Sequence, residues 1–461
     1  MDTPIAQDTI AAIASALGPG AIAIVRVSGP QALPLADAVF RGSGRPPSQR
    51  PGHSVCSGMV CAAHGEPLDE VLVLIFRAPR SYTCEDVVEF HCHGGGQSAR
   101  RVLRRALAAG ARAAEPGEFT LRAFLNGRLD LTQAEAVQDL IQARSERAAD
   151  AALQQLRGGL RQAVAAIHEE GLTALTPIEA ALDFPDDEMP TPILAPIGPA
   201  LERAAAALGR LLETATEGRL LRAGVRLVLA GPANAGKSSL FNALLGTERA
   251  ITSPQPGTTR DTIEAAWPLH GIPITLVDTA GLRAAACAIE SDGIGRTRAE
   301  LGQADLQLLV LDGAGPLDDD ARATLAAPAP AGRLIVLNKS DLPPALDRAA
   351  LPPGIPVIAV SALTGQGLAD LRHRLVEMLD ADLLSDPAPH AVIAERHRLL
   401  LACAQEELSA ARTLFDPAAE SGWVLVAGHI RAALEALGEL SGRHYQAELL
   451  DRIFSGFCIG K

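Results

Sequence analysis

A phosphate-loop signature, Gly231-Pro-Ala-Asn234-Ala235-Gly236-Lys237-Ser238-Ser239, stands at the middle of this 461-residue chain rather than at its start. The apolar run Val225–Ala230 precedes it, and residues 240–245 follow with helical character. That order is strand, loop, helix. In this context successive backbone N–H groups and one lysine can cradle phosphates. The loop therefore commits the middle of the chain to an α/β nucleotide-binding domain and leaves about half of the residues to do something else.

At roughly 150 residues per domain, the length allows about three domains. Aromatic residues make up only 3% of the chain, so the cores must be built from Ala, Leu, Ile and Val. Residues 1–121 mix short β-like runs (21–27, 70–76 and 86–91) with Pro- and Gly-rich turns such as residues 41–52, and read as a compact α+β domain. From residue 122 to 222 the sequence becomes Ala-rich with Leu at helical spacing, as in residues 131–141. Its one break lies at residues 183–190, where prolines forbid a continuous helix. Repeated helix-period sequence of this kind predicts an antiparallel bundle.

Residues 223–380 alternate apolar strands (227–230, 274–277, 306–311, 334–337 and 357–360) with helices, which predicts a mostly parallel sheet covered on both faces. Residues 381–461 are helical again. The predicted architecture is multidomain α/β, with the nucleotide domain inserted into a discontinuous helical domain.

The net charge of −13 argues against nucleic-acid binding by bulk electrostatics, although Arg100, Arg101, Arg104 and Arg105 cluster on one predicted helix. The seven cysteines are scattered, with no Cys-x-x-Cys pair, so neither a disulfide framework nor a zinc site is indicated. His91-Cys92-His93 has ligand-type residues but no matching pair elsewhere. Neither a signal peptide nor an apolar run of the roughly 20 residues that span a bilayer is evident, so the expected location is cytoplasmic and no membrane partner is expected.

Four segments follow the phosphate loop, each with its own chemical task. Gly257-Thr258-Thr259-Arg260-Asp261 offers a hydroxyl for Mg²⁺ and an N–H for a γ-phosphate. Asp278-Thr279-Ala280-Gly281 closes an apolar strand; its carboxylate can hold Mg²⁺ through water while the Gly281 N–H senses the γ-phosphate. Asn338-Lys339-Ser340-Asp341 follows another strand, where the Asp341 carboxylate can accept from guanine N1–H and the 2-amino group, donors that adenine lacks. Ser361-Ala362-Leu363 can present a backbone N–H to guanine O6. Together, in this order, they predict GTP as the nucleotide, with Lys237 on the β/γ-phosphates and Ser238 on Mg²⁺.

The hydrolytic equipment departs from the Ras pattern. The position that carries a water-orienting Gln in Ras-like GTPases is Leu282, which cannot hydrogen-bond water. Charge neutralisation, worth roughly 10³–10⁵ in rate when an arginine supplies it, must also come from elsewhere. Asn234, inside the phosphate loop, could coordinate a monovalent cation near the β/γ-phosphates or could simply shape the loop.

These motifs, with residues 119–126, 129–136 and 180–187 and the ending Phe457-Cys458-Ile459-Gly460-Lys461, resemble the MnmE (TrmE) family of tRNA modification GTPases over essentially the whole length. The resemblance implies a GTPase that acts when two G domains meet across K⁺. It makes Asn234 a K⁺ ligand, with the loop Ser253-Pro254-Gln255-Pro256-Gly257-Thr258 closing over the ion (Ser253, Gln255 and Thr258 among its ligands), and makes Thr259 a second Mg²⁺ ligand beside Ser238. Glu290 occupies the family's water-orienting position, although by itself it reads as a helix-start acid.

The resemblance further implies an N-terminal domain that forms a homodimer and binds 5-formyl- or methylene-tetrahydrofolate through Arg26, Glu89, Arg128 and Lys461. Where the family often has Lys, this chain has Arg128, a charge-conserving but not interchangeable change. Gly18-Pro19-Gly20 and Pro232-Ala233 are further departures. The implied reaction is carboxymethylaminomethyl addition at C5 of a tRNA wobble uridine, with the flavin- and NADH-using partner MnmG (GidA) in a heterotetramer. Cys458 is a candidate nucleophile for that chemistry, although no neighbouring base in the sequence would lower its pKa. Two other readings remain at this point: a ribosome-assembly or RNA-binding switch GTPase, and a GTP-binding scaffold. The first would need a basic RNA module, which residues 381–461 do not provide; intact Lys237, Ser238, Thr259, Asp278 and Glu290 count against the second.

Overall fold

The computed structural model describes residues 8–16, 18–183, 191–246, 263–278, 304–326, 332–379, 393–417 and 422–461. The chain divides into two compact units. The first comprises Met1–Gln138, Leu156–Ala204 and Cys403–Lys461; the second comprises Asp139–Gln155 and Ala205–Ala402.

The first unit is built on strands β1 (Ile10–Ile13), β2 (Ile22–Ser28), β3 (Phe40–Gly42), β4 (Ser54–Cys61), β5 (Pro67–Phe76), β6 (Val87–His93) and β7 (Arg112–Ala113), in the sheet order β3-β4-β5-β6-β2-β1-β7. All pairings are antiparallel except β1 with β7. Period-two alternation turns Val25, Val27, Val73, Ile75, Phe90 and Cys92 into one core with helices α1 (Ala32–Val39) and α2 (Gly96–Ala108). Arg26, Glu89, Leu74 and Val55 lie directly across from one another in register and so share the opposite face. Residues 41 and 42, expected as loop, instead close β3, because Phe40 is drawn into the core and pairs with Val60.

Helix α3 (Glu118–Leu125) starts earlier than the change of composition at residue 122 suggests. Gly117 takes the left-handed conformation before it, with φ of 69°. An ionic cluster around the buried Arg122 ties α3 to the segment before β1 and to the loop before β6. Arg122, 3% exposed, donates to Asp8 Oδ1 (2.6 Å), Glu118 Oε1 (3.0 Å) and Glu85 Oε1 (3.2 Å). The helix Gly159–Asp183 and the helix Trp423–Ser441 pack closely, since a methyl added at Gly171 would lie 2.7 Å from Leu434 Cδ2.

The second unit contains a six-stranded sheet of order β13-β12-β11-β8-β10-β9, formed by β8 (Val225–Ala230), β9 (Ile263–Leu269), β10 (Ile272–Asp278), β11 (Leu306–Asp312), β12 (Gly332–Asn338) and β13 (Val357–Ala359). It is parallel except for β9, an antiparallel edge strand whose Pro268 removes a backbone donor. β8, β11 and β12 are buried almost throughout, as expected of strands covered on both faces. After β8 the chain forms β10 to one side and β11 to the other. The end of β8 is therefore the point where strand order reverses and where open α/β sheets bind ligands.

Residues 139–155 and 205–222, read from composition as part of the helical domain, belong to this unit. Specific contacts hold them there: Arg222 Nε to Asp139 Oδ1 (2.7 Å), Ser145 Oγ to Gly271 O (2.6 Å) and Arg144 Nη1 to Thr275 Oγ1 (3.1 Å).

Candidate functional site

The phosphate loop leaves β8 and enters the helix Lys237–Leu245 through backbone that few residues adopt: φ is 147° at Gly231, 59° at Asn234 and 87° at Gly236. Glycine meets two of these demands without strain; Asn234 is the type of non-glycine residue that tolerates the left-handed region. Lys237, 5% exposed, folds back over the loop and donates to Gly231 O (3.1 Å) and Pro232 O (2.7 Å). Ser238 Oγ donates to Asp278 Oδ2 at 2.7 Å, and Asp278 ends β10 directly across from Leu229 of β8. A hydroxyl and a carboxylate so placed are the hard oxygen donors that Mg²⁺ prefers.

The second half of the site sits on the ends of β12 and β13. Asn338, 2% exposed, donates from Nδ2 to Ala235 O (2.9 Å) and accepts at Oδ1 from the Ala362 N–H (3.0 Å). One side chain thereby ties the phosphate loop to the segment Ser361-Ala362-Leu363. Gly236 is required at the same junction, since a methyl there would fall 2.2 Å from Asn338 Nδ2. Asp341 Oδ1 accepts from Ser361 Oγ at 2.5 Å, and Ser340 N–H bonds Val360 O at 3.0 Å. Lys339, at φ of 64°, reaches Asp312 Oδ2 (2.6 Å).

The Ala362 amide is thus occupied by Asn338, and the Ser361 amide by Gln366 O at 2.9 Å. Of the three amides in the segment expected to offer an N–H to a base, that of Leu363 alone makes no such bond with a described residue. Ser239 takes its place in the helix Lys237–Leu245. Ser253, Pro254, Gln255, Pro256, Gly257, Thr258, Thr259, Thr279, Ala280, Gly281, Leu282 and Glu290 lie outside the described residues.

A second site is built in the first unit. Arg26 and Glu89 are cross-strand neighbours, with Arg26 Nε on Glu89 Oε1 at 2.8 Å. The Tyr82 ring lies against two guanidinium groups, those of Arg26 (5.1 Å) and Arg128 (4.7 Å), and Phe119 contacts Arg26 at 5.6 Å. The Tyr82 backbone is held by Arg128 Nη1 on its carbonyl (2.6 Å), and its hydroxyl meets Thr120 Oγ1 (2.9 Å). Arg26 Nη1 is buried with no hydrogen-bond partner, an unmet donor beside Glu89 and the Tyr82 ring.

The chain end reaches the same place. Ile459 pairs with Pro116, and the Cys458 carbonyl accepts from the Lys461 N–H at 3.3 Å. Burial pushes the Lys461 ammonium below its ordinary pKa and nearby Arg26 adds to this, while Glu89 and Cys458 act in the opposite direction. The thiol-bearing residue itself is exposed.

Glu89 and Arg128 line a cavity of about 620 Å³ together with His53, Phe76, Arg80, Tyr82, Cys84 and Asn126. That size suits a small organic ligand. Sequence reasoning missed Tyr82, Phe76, His53 and Asn126. The available signal was a tyrosine, one of only two in the chain, inside a short turn-rich loop. His91 and His93, singled out for their spacing, meet different acids: Glu89 Oε2 at 3.4 Å and Asp69 Oδ1 at 2.7 Å. Among the described residues no group of three His, Cys, Asp or Glu is arranged to hold a metal.

Two family models match the chain: the MnmE helical domain over residues 131–458 and the GTP-binding protein TrmE N-terminus over residues 9–128. The chain belongs to the MnmE (TrmE) family. A relative from Symbiobacterium thermophilum called tRNA modification GTPase MnmE is 46% identical over 99% of this chain and 100% of its own length. MnmE proteins of the same description from Chloroflexus aurantiacus (44% identical, 99% of this chain, 100% of the relative) and Geobacter sulfurreducens (42%, 99% of each) are comparably similar. Among solved structures, the G domain of the T. maritima FeoB iron transporter aligns at 29% identity over 33% of this chain and 97% of that chain, with a TM-score of 0.26. Among the described residues no helix is long and apolar enough to cross a membrane.

Proposed function

We propose that this chain hydrolyses GTP in a K⁺-dependent manner and, with an MnmG (GidA)-type partner, adds a carboxymethylaminomethyl group at C5 of the wobble uridine of certain tRNAs. The hydrogen-bonded path from the phosphate loop through Asn338 to residue 362 carries the GTPase half, because it ties a phosphate cradle at a sheet switch point to the segment whose Ser361 holds the Asp341 carboxylate. The names borne by the relatives support the tRNA half.

In this reading Lys237 turns from the loop carbonyls to the β/γ-phosphates and Asp341 reads guanine. Mg²⁺ would neutralise phosphate charge, held by Ser238 and Thr259, with Asp278 orienting the first through their shared hydrogen bond. Asn234 and residues 253–258 would hold K⁺. Glu290 would orient the water that Leu282 cannot. In the first unit a tetrahydrofolate derivative, the one-carbon donor, would occupy the cavity lined by Glu89 and Arg128, with Arg26 and Lys461 acting from beside Glu89; the unmet Arg26 donor next to Glu89 supports a polar ligand there. Homodimerisation through the N-terminal domain is supported by the sheet face opposite α1 and α2, which leaves Ile22 62%, Val55 57% and Leu72 49% exposed.

GTP turnover in K⁺ against Na⁺ at equal ionic strength tests the reading. Wild type is expected to be fast only in K⁺, Asn234→Ala to lose that difference, and Glu290→Ala to be slow in both salts. Equal wild-type rates in the two salts would refute K⁺ dependence, and full activity of Glu290→Ala would remove it from the reaction.

A further inference from the structure

The cavity in the first unit has a charge imbalance that its protein contacts do not resolve. Its lining carries one carboxylate, Glu89, and two guanidinium groups, Arg80 and Arg128. Glu89 is already neutralised by the Arg26 Nε contact at 2.8 Å. The charge of the two lining arginines is therefore left over. Arg128 uses one N–H on Tyr82 O and rests on the Tyr82 ring at 4.7 Å, so most of its five donors remain available. Arg80 is exposed and makes no hydrogen bond or ion pair with a described residue, although it lines the cavity.

The placement of these charges gives the cavity a direction. Glu89 lies within β6 with its side chain 13% exposed, inside the sheet face. Arg80 lies outside the sheet, on the loop that follows β5, and Arg128 lies on the exposed turn after α3. Phe76, His53 and Tyr82 line the same cavity as a largely aromatic wall, with His53 edge-on to Phe76 at 5.6 Å. A ligand that fits is flat and donor-rich at the inner end, aromatic in its middle and anionic at the mouth.

We infer that Arg80, together with Arg128, forms an anion subsite at the mouth of this cavity that binds the carboxylates of a glutamyl tail, so that tetrahydrofolates with longer tails bind more tightly. This rests on the folate reading of the cavity and adds a recognition element to it. Because both arginines are exposed, the contribution is modest and screened by salt.

The experiment measures dissociation constants of the full chain for 5-formyltetrahydropteroate, which lacks the tail, for the monoglutamate and for the triglutamate, at low and high salt. The triglutamate is expected to bind roughly tenfold more tightly than the pteroate at low salt, a step of about 1.4 kcal/mol. Half a molar salt should remove most of that step. In Arg80→Ala the ratio between the two ligands is expected to fall to about twofold, with Arg80→Lys between the two proteins, as for a charge that acts over a distance rather than through a fixed fork. Equal binding of all three ligands by wild type, or an unchanged ratio in Arg80→Ala, would overturn the subsite while leaving the folate reading in place. Failure of wild type to bind any of the three would overturn both.

Discussion

Replacing Asn338 by Ala should damage the second unit and its nucleotide site together. The side chain is 2% exposed and makes two hydrogen bonds, to Ala235 O at 2.9 Å and from Ala362 N–H at 3.0 Å. Truncation removes both and leaves the Ala235 carbonyl unpaired in a buried place and the Ala362 amide in a partly buried one, at about 1–3 kcal/mol each. The expected loss is about 2–6 kcal/mol, a large fraction of the 5–15 kcal/mol that holds a typical domain together. For a unit of this size each kcal/mol lowers Tm by about 2–4 °C, so the corresponding calorimetric transition should move down by roughly 4–24 °C. Titration with a fluorescent GDP analogue should show weaker binding as well, because the same truncation releases both the phosphate loop and the base-side loop. A variant that melts within about one degree of wild type and binds GDP equally well would refute the claim that this side chain couples the two halves of the site.

Two further outcomes follow from the geometry. Gly236→Ala would set a methyl 2.2 Å from Asn338 Nδ2 and hold alanine at φ of 87°, a backbone strain of about 1–3 kcal/mol; GDP affinity should fall at least about tenfold, which equilibrium titration reads directly. Acid should loosen the first unit. The hydrogen bond from Arg112 holds the Asp8 carboxyl below its usual pKa despite partial burial, and Arg122 adds to this. At Glu118 burial acts upward and is the largest influence, yet bonds from Arg112, the Glu115 N–H and Arg122 outweigh it and leave that carboxyl lowered too. A carboxyl with a lowered folded-state pKa contributes stability above its unfolded value of about 4 and loses it as pH falls through the folded value. Urea midpoints of the first unit should therefore fall below about pH 4, and less steeply in Asp8→Asn.

Much of the second unit was legible in the sequence because parallel, doubly covered strands read as continuous apolar runs. β8, β10, β11 and β12 all appear within a residue or two of their expected places. β9 was missed: Pro268 and two consecutive alanines hide an edge strand that, among the described residues, pairs with β10 alone. In the first unit β1, β4 and the two-residue β7 carry little pattern of their own and exist through pairing. The residues that hold the phosphate loop were legible because their order along the chain is itself a signal. Of the four N-terminal residues named by resemblance, Glu89 and Arg128 line the cavity, while Arg26 and Lys461 lie beside Glu89. Arg26, Glu89, Arg128 and Lys461 are far apart in sequence, and what joins them is strand register and the pairing of Ile459 with Pro116. The aromatic wall had no periodic signature at all.

The chain contains two tryptophans, and each is almost fully enclosed in a different compact unit: Trp423, at 1% exposure, begins a long helix of the first, and Trp267, also at 1%, lies in β9 of the second. Indole emission shifts to the red when water reaches the ring. Trp423→Phe and Trp267→Phe therefore turn the protein into two single-reporter versions of itself. Each would follow the unfolding of one unit by colour alone, with no label attached, and their comparison would tell whether ligands for the phosphate loop and for the N-terminal cavity protect one unit or both.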